Sequence, residues 1–208
     1  SPADDVYDQF EENLFTGHPL GRSILGTPAS VRKITGKELK KFTEERFIPE
    51  NMALTIVADI DERKLEENVR KLVGKFFGGS NAAVYERTVQ PIRLPQSFNR
   101  MVEKRNHEVN AVLGNFAPSL YDSEGRFASI LLSNIIGGPA SNSLLNSLLR
   151  ERNGWVYGVE SSYSQYTESG IMTISLGCER GNLEKCLDAV WKVIRKMQDE
   201  ELSPSRLK

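Results

Sequence analysis

Two histidines, His18 and His107, are all the imidazole that this chain of 208 residues can offer a metal. Neither is followed three to five positions later by a second ligand, so neither the forward nor the inverted helix motif of a zinc peptidase is present. Cys178 and Cys186 make no disulfide framework and half a zinc site at best, and they read as two small buried hydrophobes. No Gly-x-Ser-x-Gly elbow, P-loop or dinucleotide fingerprint occurs, and Gly137-Gly138 reads as a helix stop rather than a phosphate cradle.

One stretch stands above this background: Leu149-Arg150-Glu151-Arg152-Asn153-Gly154-Trp155-Val156-Tyr157. The pattern predicts a helix ending near Arg152, a turn at Gly154 and a strand opening at Trp155. Arg150 and Tyr157 would then flank one tight turn. A guanidinium fork and a phenol can both donate hydrogen bonds to peptide carbonyls, which holds an extended peptide in place without chemistry of their own. The plainer alternative is an Arg that satisfies carbonyls at its own helix end and a Tyr packed on the sheet.

The elements that would carry these residues follow from apolar spacing. Ser1-Pro2 reads as a cap and first turn, and Val6, Phe10 and Leu14 give that helix one apolar stripe. Its acids, Asp4, Asp5, Asp8, Glu11 and Glu12, read as a solvated face. Gly17-His18-Pro19-Leu20-Gly21 is a rigid loop, and Thr35-Gly36-Lys37-Glu38 is a capping box opening a helix to about Arg46. Residues 52–60 predict a buried strand. Asp61 caps a helix with Leu65, Val69, Leu72, Val73 and Phe76 on one face, stopped by Gly78-Gly79.

Residues 81–98, with Pro91 and Pro95, read as a linker between residues 1–80 and 99–208. Beyond it the pattern predicts strands near 99–106 and 108–116, then a helix over 123–136 with Phe127, Ile130, Leu131 and Ile135 on one side. A helix over 142–152 turns Leu145, Leu148 and Leu149 inward. Strands over 155–166 and 171–178 pair as a hairpin, and a last helix carries Leu183, Leu187, Val190, Ile194 and Met197. Ser203-Pro204 would open a further helix. The mixture predicts an α+β fold, an antiparallel or mixed sheet with helices packed on one face.

Lys plus Arg number 27 against 28 Asp plus Glu, a balance that argues against an electrostatic grip on nucleic acid or anionic lipid. No apolar run approaches the roughly 18 residues that span a bilayer. No leader is visible at the N-terminus, and the compartment is not readable, with the cytoplasm as the default.

Several stretches together resemble the pitrilysin and mitochondrial-processing-peptidase family of zinc metallopeptidases, the inverzincins. Arg150-Glu151-x-x-Gly154-x-x-Tyr157 is similar to the family's Arg-Glu-Lys-Arg-Gly-Leu-Ala-Tyr stretch. Gly17-His18-Pro19-Leu20-Gly21 with Leu25-Gly26-Thr27, Phe47-Ile48-Pro49-Glu50-Asn51-Met52 and the Gly137-Gly138 segment match in the family order. The family's Ser-Arg-Leu is replaced by Ser143-Leu144-Leu145.

The resemblance implies parts of two similar α+β domains: 1–80 from the later part of the zinc-bearing domain, a linker over 81–98, and 99–208 from the earlier part of a non-catalytic domain. It implies a zinc metalloendopeptidase as the parent, with the zinc ligands upstream of Ser1 and neither catalytic nor metal-binding residues in this chain. It implies that Arg150 and Tyr157 bind substrate, that the fragment alone is inactive and takes no cofactor, and that its partners are a peptide and a second copy or a paralogous subunit. The same resemblance leaves open a parent that is a non-catalytic partner subunit.

Overall fold

A computed structural model describes residues 2–77, 92, 97–105 and 107–202. By contacts the chain forms two compact units, Ser1–Ile24 with Val89–Lys208, and Leu25–Thr88. The linker read at 81–98, the Gly78-Gly79 stop, the Ser1 cap and the Ser203-Pro204 start fall wholly or largely outside the described residues.

The larger unit is built on a three-stranded antiparallel sheet, β1 (Glu108–Ala117), β2 (Val156–Gln165) and β3 (Gly170–Glu179), in the order β1-β3-β2. The α+β reading therefore holds, and the hairpin predicted at Ser169-Gly170 is the β2–β3 pair, with Tyr166 N–H donating to the Ser169 carbonyl at 2.8 Å. The strand expected over 99–106 is absent among the described residues of that stretch, which run without ladder pairing into β1.

Alternation along the strands gives the sheet two apolar faces. Val159, Ile174, Leu176 and Cys178 face α5 (Ser123–Gly137), a π-helix (Asn146–Arg152) and α6 (Leu183–Asp199). In this core Leu145, Leu149 and Val190 are fully buried, as their helical spacing predicts, and Cys186 is the small buried hydrophobe expected of it. The Cys178 and Cys186 thiols are free and buried. Burial, then the neighbouring sulfur, pushes the Cys178 thiol up to about 11, and burial raises that of Cys186.

The opposite face is covered by α1 (Pro2–Leu14), so helices lie on both sides of the sheet rather than on one. Phe10, Leu14 and Phe15 pack there with Ile171, Val112 and Phe116. Phe15 meets the Phe116 ring edge-on at 5.5 Å and the Tyr166 ring at 5.8 Å. The α1 acids are not simply solvated. Asp5 pairs with Lys104, whose hydrogen bond holds the carboxyl below its usual range, and Glu11 accepts from the Tyr166 hydroxyl at 3.0 Å. These contacts join positions about a hundred residues apart or more, which no local pattern reveals.

Helix α5 sits on the sheet by its small residues. Ser129, Ser133 and Gly137, one every four positions, face inward and are buried. A Cβ on Gly137 would lie 2.7 Å from the Ser161 backbone nitrogen, so the helix approaches β2 as closely as only glycine permits. The buried hydroxyls of Ser129 and Ser133 are satisfied on their own helix, on Gly125 and Ile130 carbonyls at 2.7 and 2.9 Å. The consequence overturns the inward face expected of Phe127, Ile130, Leu131 and Ile135: Phe127 and Leu131 are 63% and 52% exposed, Ile130 is exposed and Ile135 half-buried, while Ser129, Ser133 and Ile136 are buried.

In the second unit the capping box predicted at Thr35 forms, and a second one stands at Thr27. Thr27 opens α2 (Pro28–Lys33), and Thr35 with Glu38 opens α3 (Gly36–Arg46), its backbone N–H meeting Glu38 Oε2 at 2.7 Å. Helix α4 (Glu62–Phe77) follows Asp61, whose carboxylate accepts from Lys64 N–H at 3.1 Å. Residues 52–58 make no strand, and among residues 25–74 none with described burial is buried. Leu54, Ile56 and Val57 are exposed for the same reason: no described segment pairs with them.

Two tests follow from the packing. Gly137→Ala, small as it is, should cost about 1–3 kcal/mol in urea unfolding, the usual weight of overpacking against backbone. The Tyr166 phenol is pushed up to about 12 by burial and by the Glu11 charge, above its value of roughly 10 in an unfolded chain. Its contribution to stability is therefore whole below about pH 10 and lost as the pH climbs towards 12. Circular dichroism should show stability falling across that window, and Tyr166→Phe should flatten the fall.

Candidate substrate-contact site

The stretch from Gly138 to Tyr157 is held from below by a buried polar knot. Ser143 Oγ and Asn146 Nδ2 both donate to the Gly138 carbonyl, at 3.1 and 3.0 Å, and Asn146 also donates to Ser143 Oγ at 2.9 Å. All three side-chain contacts are buried, so they act where water does not compete. The knot ties the C-terminal end of α5 to the first turn of the π-helix. Leu145 and Leu149 then fix the rotation of that helix in the core.

The winding itself departs from the helix expected over 142–152. Residues Asn146–Arg152 are wound as a π-helix, a form that is rare and concentrated at functional sites. Its end is closed by the backbone. Asn153 and Gly154 N–H groups donate to the Arg150 carbonyl, Trp155 N–H donates to the Leu149 carbonyl at 2.8 Å, and Asn153 Nδ2 donates to the Leu148 carbonyl at 2.7 Å. Gly154 takes φ of 59°, the left-handed turn that the sequence predicts for a glycine there.

Because backbone groups and Asn153 close the helix, the Arg150 guanidinium is not needed for it. The Arg150 side chain is exposed and makes no hydrogen bond or ion pair among the described residues. The plainer alternative, an Arg that satisfies its own helix end, is not what the chain does.

Tyr157 is equally uncommitted to packing. Strand β2 pairs Val156 with Cys178 and Gly158 with Gly177, which leaves Tyr157 as the extra residue of a bulge. A bulge re-aims the side chain it inserts. The ring is 59% exposed, and its hydroxyl donates to Glu179 Oε1 at 3.4 Å. Partial desolvation at the sheet surface, then the Glu179 carboxylate, raises the phenol above its ordinary value, so it remains a donor at neutral pH. The structure thus places Arg150 and Tyr157 on the two sides of the Gly154 turn, both exposed and not bonded to each other.

Neither the bulge nor Glu179 is visible in the sequence reading. The alternating run 171–178 stops one residue short of Glu179, and a bulge leaves no mark in alternation that the Trp155–Tyr157 aromatics already blur. A separate groove of about 290 Å3 lies between the first turns of α1 and the sheet, lined by Tyr7, Glu108, Asn110, Gly158 and Glu160 among others, and neither Arg150 nor Tyr157 lines it.

Among the described residues no cluster of three His, Cys, Asp or Glu side chains could hold an ion. His18 Nδ1 accepts from Leu20 N–H at 3.2 Å, which makes His18 a cap on the Pro19–Gly21 3-10 turn. No helix among the described residues is long and apolar enough to cross a membrane.

The sequence profile described as Peptidase M16 inactive domain matches residues 33–208. This chain belongs to the peptidase M16 family of pitrilysin-type proteins. It is similar to an uncharacterized zinc protease of Rickettsia bellii, 26% identical over 200 residues, covering 96% of this chain and 47% of the relative. Its fold matches a peptidase M16 inactive domain from Pseudomonas fluorescens with a TM-score of 0.85 at 20% identity, covering 100% of this chain and 49% of that one. A protease from Helicobacter pylori matches with a TM-score of 0.84 at 20% identity, covering 100% and 50%. The chain therefore spans about half the length of the M16 proteins it matches.

Given this geometry, Arg150→Ala should leave stability to urea within about 0.5 kcal/mol of the parent chain, as expected of a side chain that packs on nothing. A large loss of stability would show that the guanidinium is structural after all.

Proposed function

We propose that this chain is a portion of a zinc metalloendopeptidase that supplies scaffold and two substrate-binding side chains, Arg150 and Tyr157, while the metal site belongs to another part of the parent. The observation that carries this reading is a guanidinium and a phenol flanking one rigid turn with neither spent on packing or helix closure. Relatives named as zinc proteases support the reaction class, and the inactive-domain profile supports a binding role for this part.

In this reading the peptide lies extended along the end of the sheet. Its carbonyls accept from the Arg150 fork and the Tyr157 hydroxyl, which fixes its register for hydrolysis elsewhere in the parent. Residues 1–80 would then be the late part of the zinc-bearing domain, 81–98 the linker and 99–208 the early part of the binding domain, with α1 reaching onto the binding domain's sheet. Zinc is assigned to the parent, in keeping with relatives named as zinc proteases. The partners in this reading are a peptide and a second copy or paralogous subunit.

The test is kinetic. In the full-length parent, Arg150→Ala and Tyr157→Phe should each lower kcat/KM about tenfold or more, the weight of a charge-assisted or well-placed hydrogen bond, with zinc content unchanged. Unchanged turnover in both variants would remove the pair from substrate binding. A full-length parent that binds no zinc and cleaves no peptide would make it a partner subunit. The purified 208-residue chain should take up no stoichiometric zinc, and metal uptake would overturn the assignment of the metal site elsewhere.

A further inference from the structure

The Tyr157 phenol does not stand free at the end of the sheet: it has one partner, and that partner sits at an awkward place. Glu179 closes β3 directly opposite Glu108, which opens β1. Like charges set opposite each other on paired strands repel. The two carboxylates have different neighbours. Glu108 folds over Gly177, where a Cβ would collide with its carboxylate oxygen, so only glycine leaves it that path. Glu179 instead reaches the hydroxyl of the bulged tyrosine.

The bulge matters to this contact. In an unbroken ladder, Val156 opposite Cys178 would put Tyr157 opposite Gly177, but the bulge gives Gly177 to Gly158 instead. Tyr157 is left without a cross-strand neighbour, and its ring is 59% exposed. An exposed ring held at its backbone alone would sample more than one rotamer. The Glu179 carboxylate is the one hydrogen-bond partner of its hydroxyl among the described residues, and so the one described group that selects among them.

We propose that Glu179 is the positioning residue for Tyr157: its carboxylate accepts the hydroxyl hydrogen and fixes where the bulged ring presents its O–H to a bound peptide. The inference rests on the reading of Tyr157 as a substrate contact. A phenol has a single hydrogen to give, and on binding the peptide carbonyl approaches as a second acceptor of it while the Glu179 carboxylate keeps its hold, so the positioning contact persists in the complex. The 3.4 Å resting contact is long for an O–H donor, which leaves the hydrogen open to that second acceptor. The charged groups that act on the phenol are the Glu179 and Glu108 carboxylates, and with burial both act in the direction that keeps it protonated.

Two measurements test the assignment. In the 208-residue chain, ring-labelled tyrosine followed by NMR should show the Tyr157 titration midpoint falling in Glu179→Gln. An unchanged midpoint overturns the contact. In the full-length parent, Glu179→Ala should raise KM for a peptide roughly fivefold, the weight of one modest hydrogen bond, with a smaller change in kcat. Glu179→Gln keeps an amide oxygen that accepts the same hydrogen, so it should restore KM while shifting the alkaline limb of kcat/KM to lower pH.

In a Tyr157→Phe background, Glu179→Ala should add nothing. An equal effect of Glu179→Ala in both backgrounds, or no rescue by Gln, overturns the positioning role while leaving Tyr157 as a substrate contact. If Tyr157→Phe alone changes nothing, the substrate-contact reading fails and the positioning role with it. The NMR titration then still reports whether the contact itself exists.

Discussion

The arrangement of the larger unit depends on how closely α5 can approach β2. Gly137 lies against the Ser161 backbone at a distance that no Cβ permits, and Ser129 and Ser133 continue the same small-residue seam along the helix. That height above the sheet sets where Gly138 ends the helix. The Gly138 carbonyl in turn is the acceptor on which Ser143 and Asn146 close, and the π-helix begins from that anchor. Arg150 is carried four residues further along the same helix. The exposure of a side chain with a proposed role in binding thus traces back to a contact made by hydrogen atoms alone.

The same seam explains why apolar spacing points the wrong face of α5 at the core. Periodicity places Phe127, Ile130 and Leu131 inward because burying large apolar side chains is ordinarily the strongest drive in folding. Here shape complementarity at short range wins, and the serines satisfy their hydroxyls locally, so their burial costs little. Periodicity cannot register that trade. By contrast β1, β2 and β3 fall where their alternation places them, and β1 and β3 pack a core on each face. The stretch 52–60 has the composition of a buried strand but not its structure, because a strand exists only with a neighbour and composition does not supply one.

The site divides in the same way. The helix–glycine–strand order around Arg150 and Tyr157 is legible because Gly154 punctuates it and left-handed turns have a residue signature. The π winding, the bulge at Tyr157 and the partnership with Glu179 are not, since each depends on register against another strand or on a hydrogen bond across 22 positions. What the two residues could be for comes from family resemblance. What the structure adds is that neither side chain is engaged in the plainer work that could have explained it.

The pair Cys178 and Cys186 has a use of a different kind. One lies on the central strand and one on α6, both without solvent exposure, and both thiols are held above their ordinary range. Only a thiolate reacts, so a sulfhydryl reagent finds nothing to attack while the seam between strand and helix is closed. Once the seam opens, both sulfurs return to the ordinary range near about 8.5 and become reactive together. The rate at which such a reagent is consumed is therefore a built-in clock for the opening of this core.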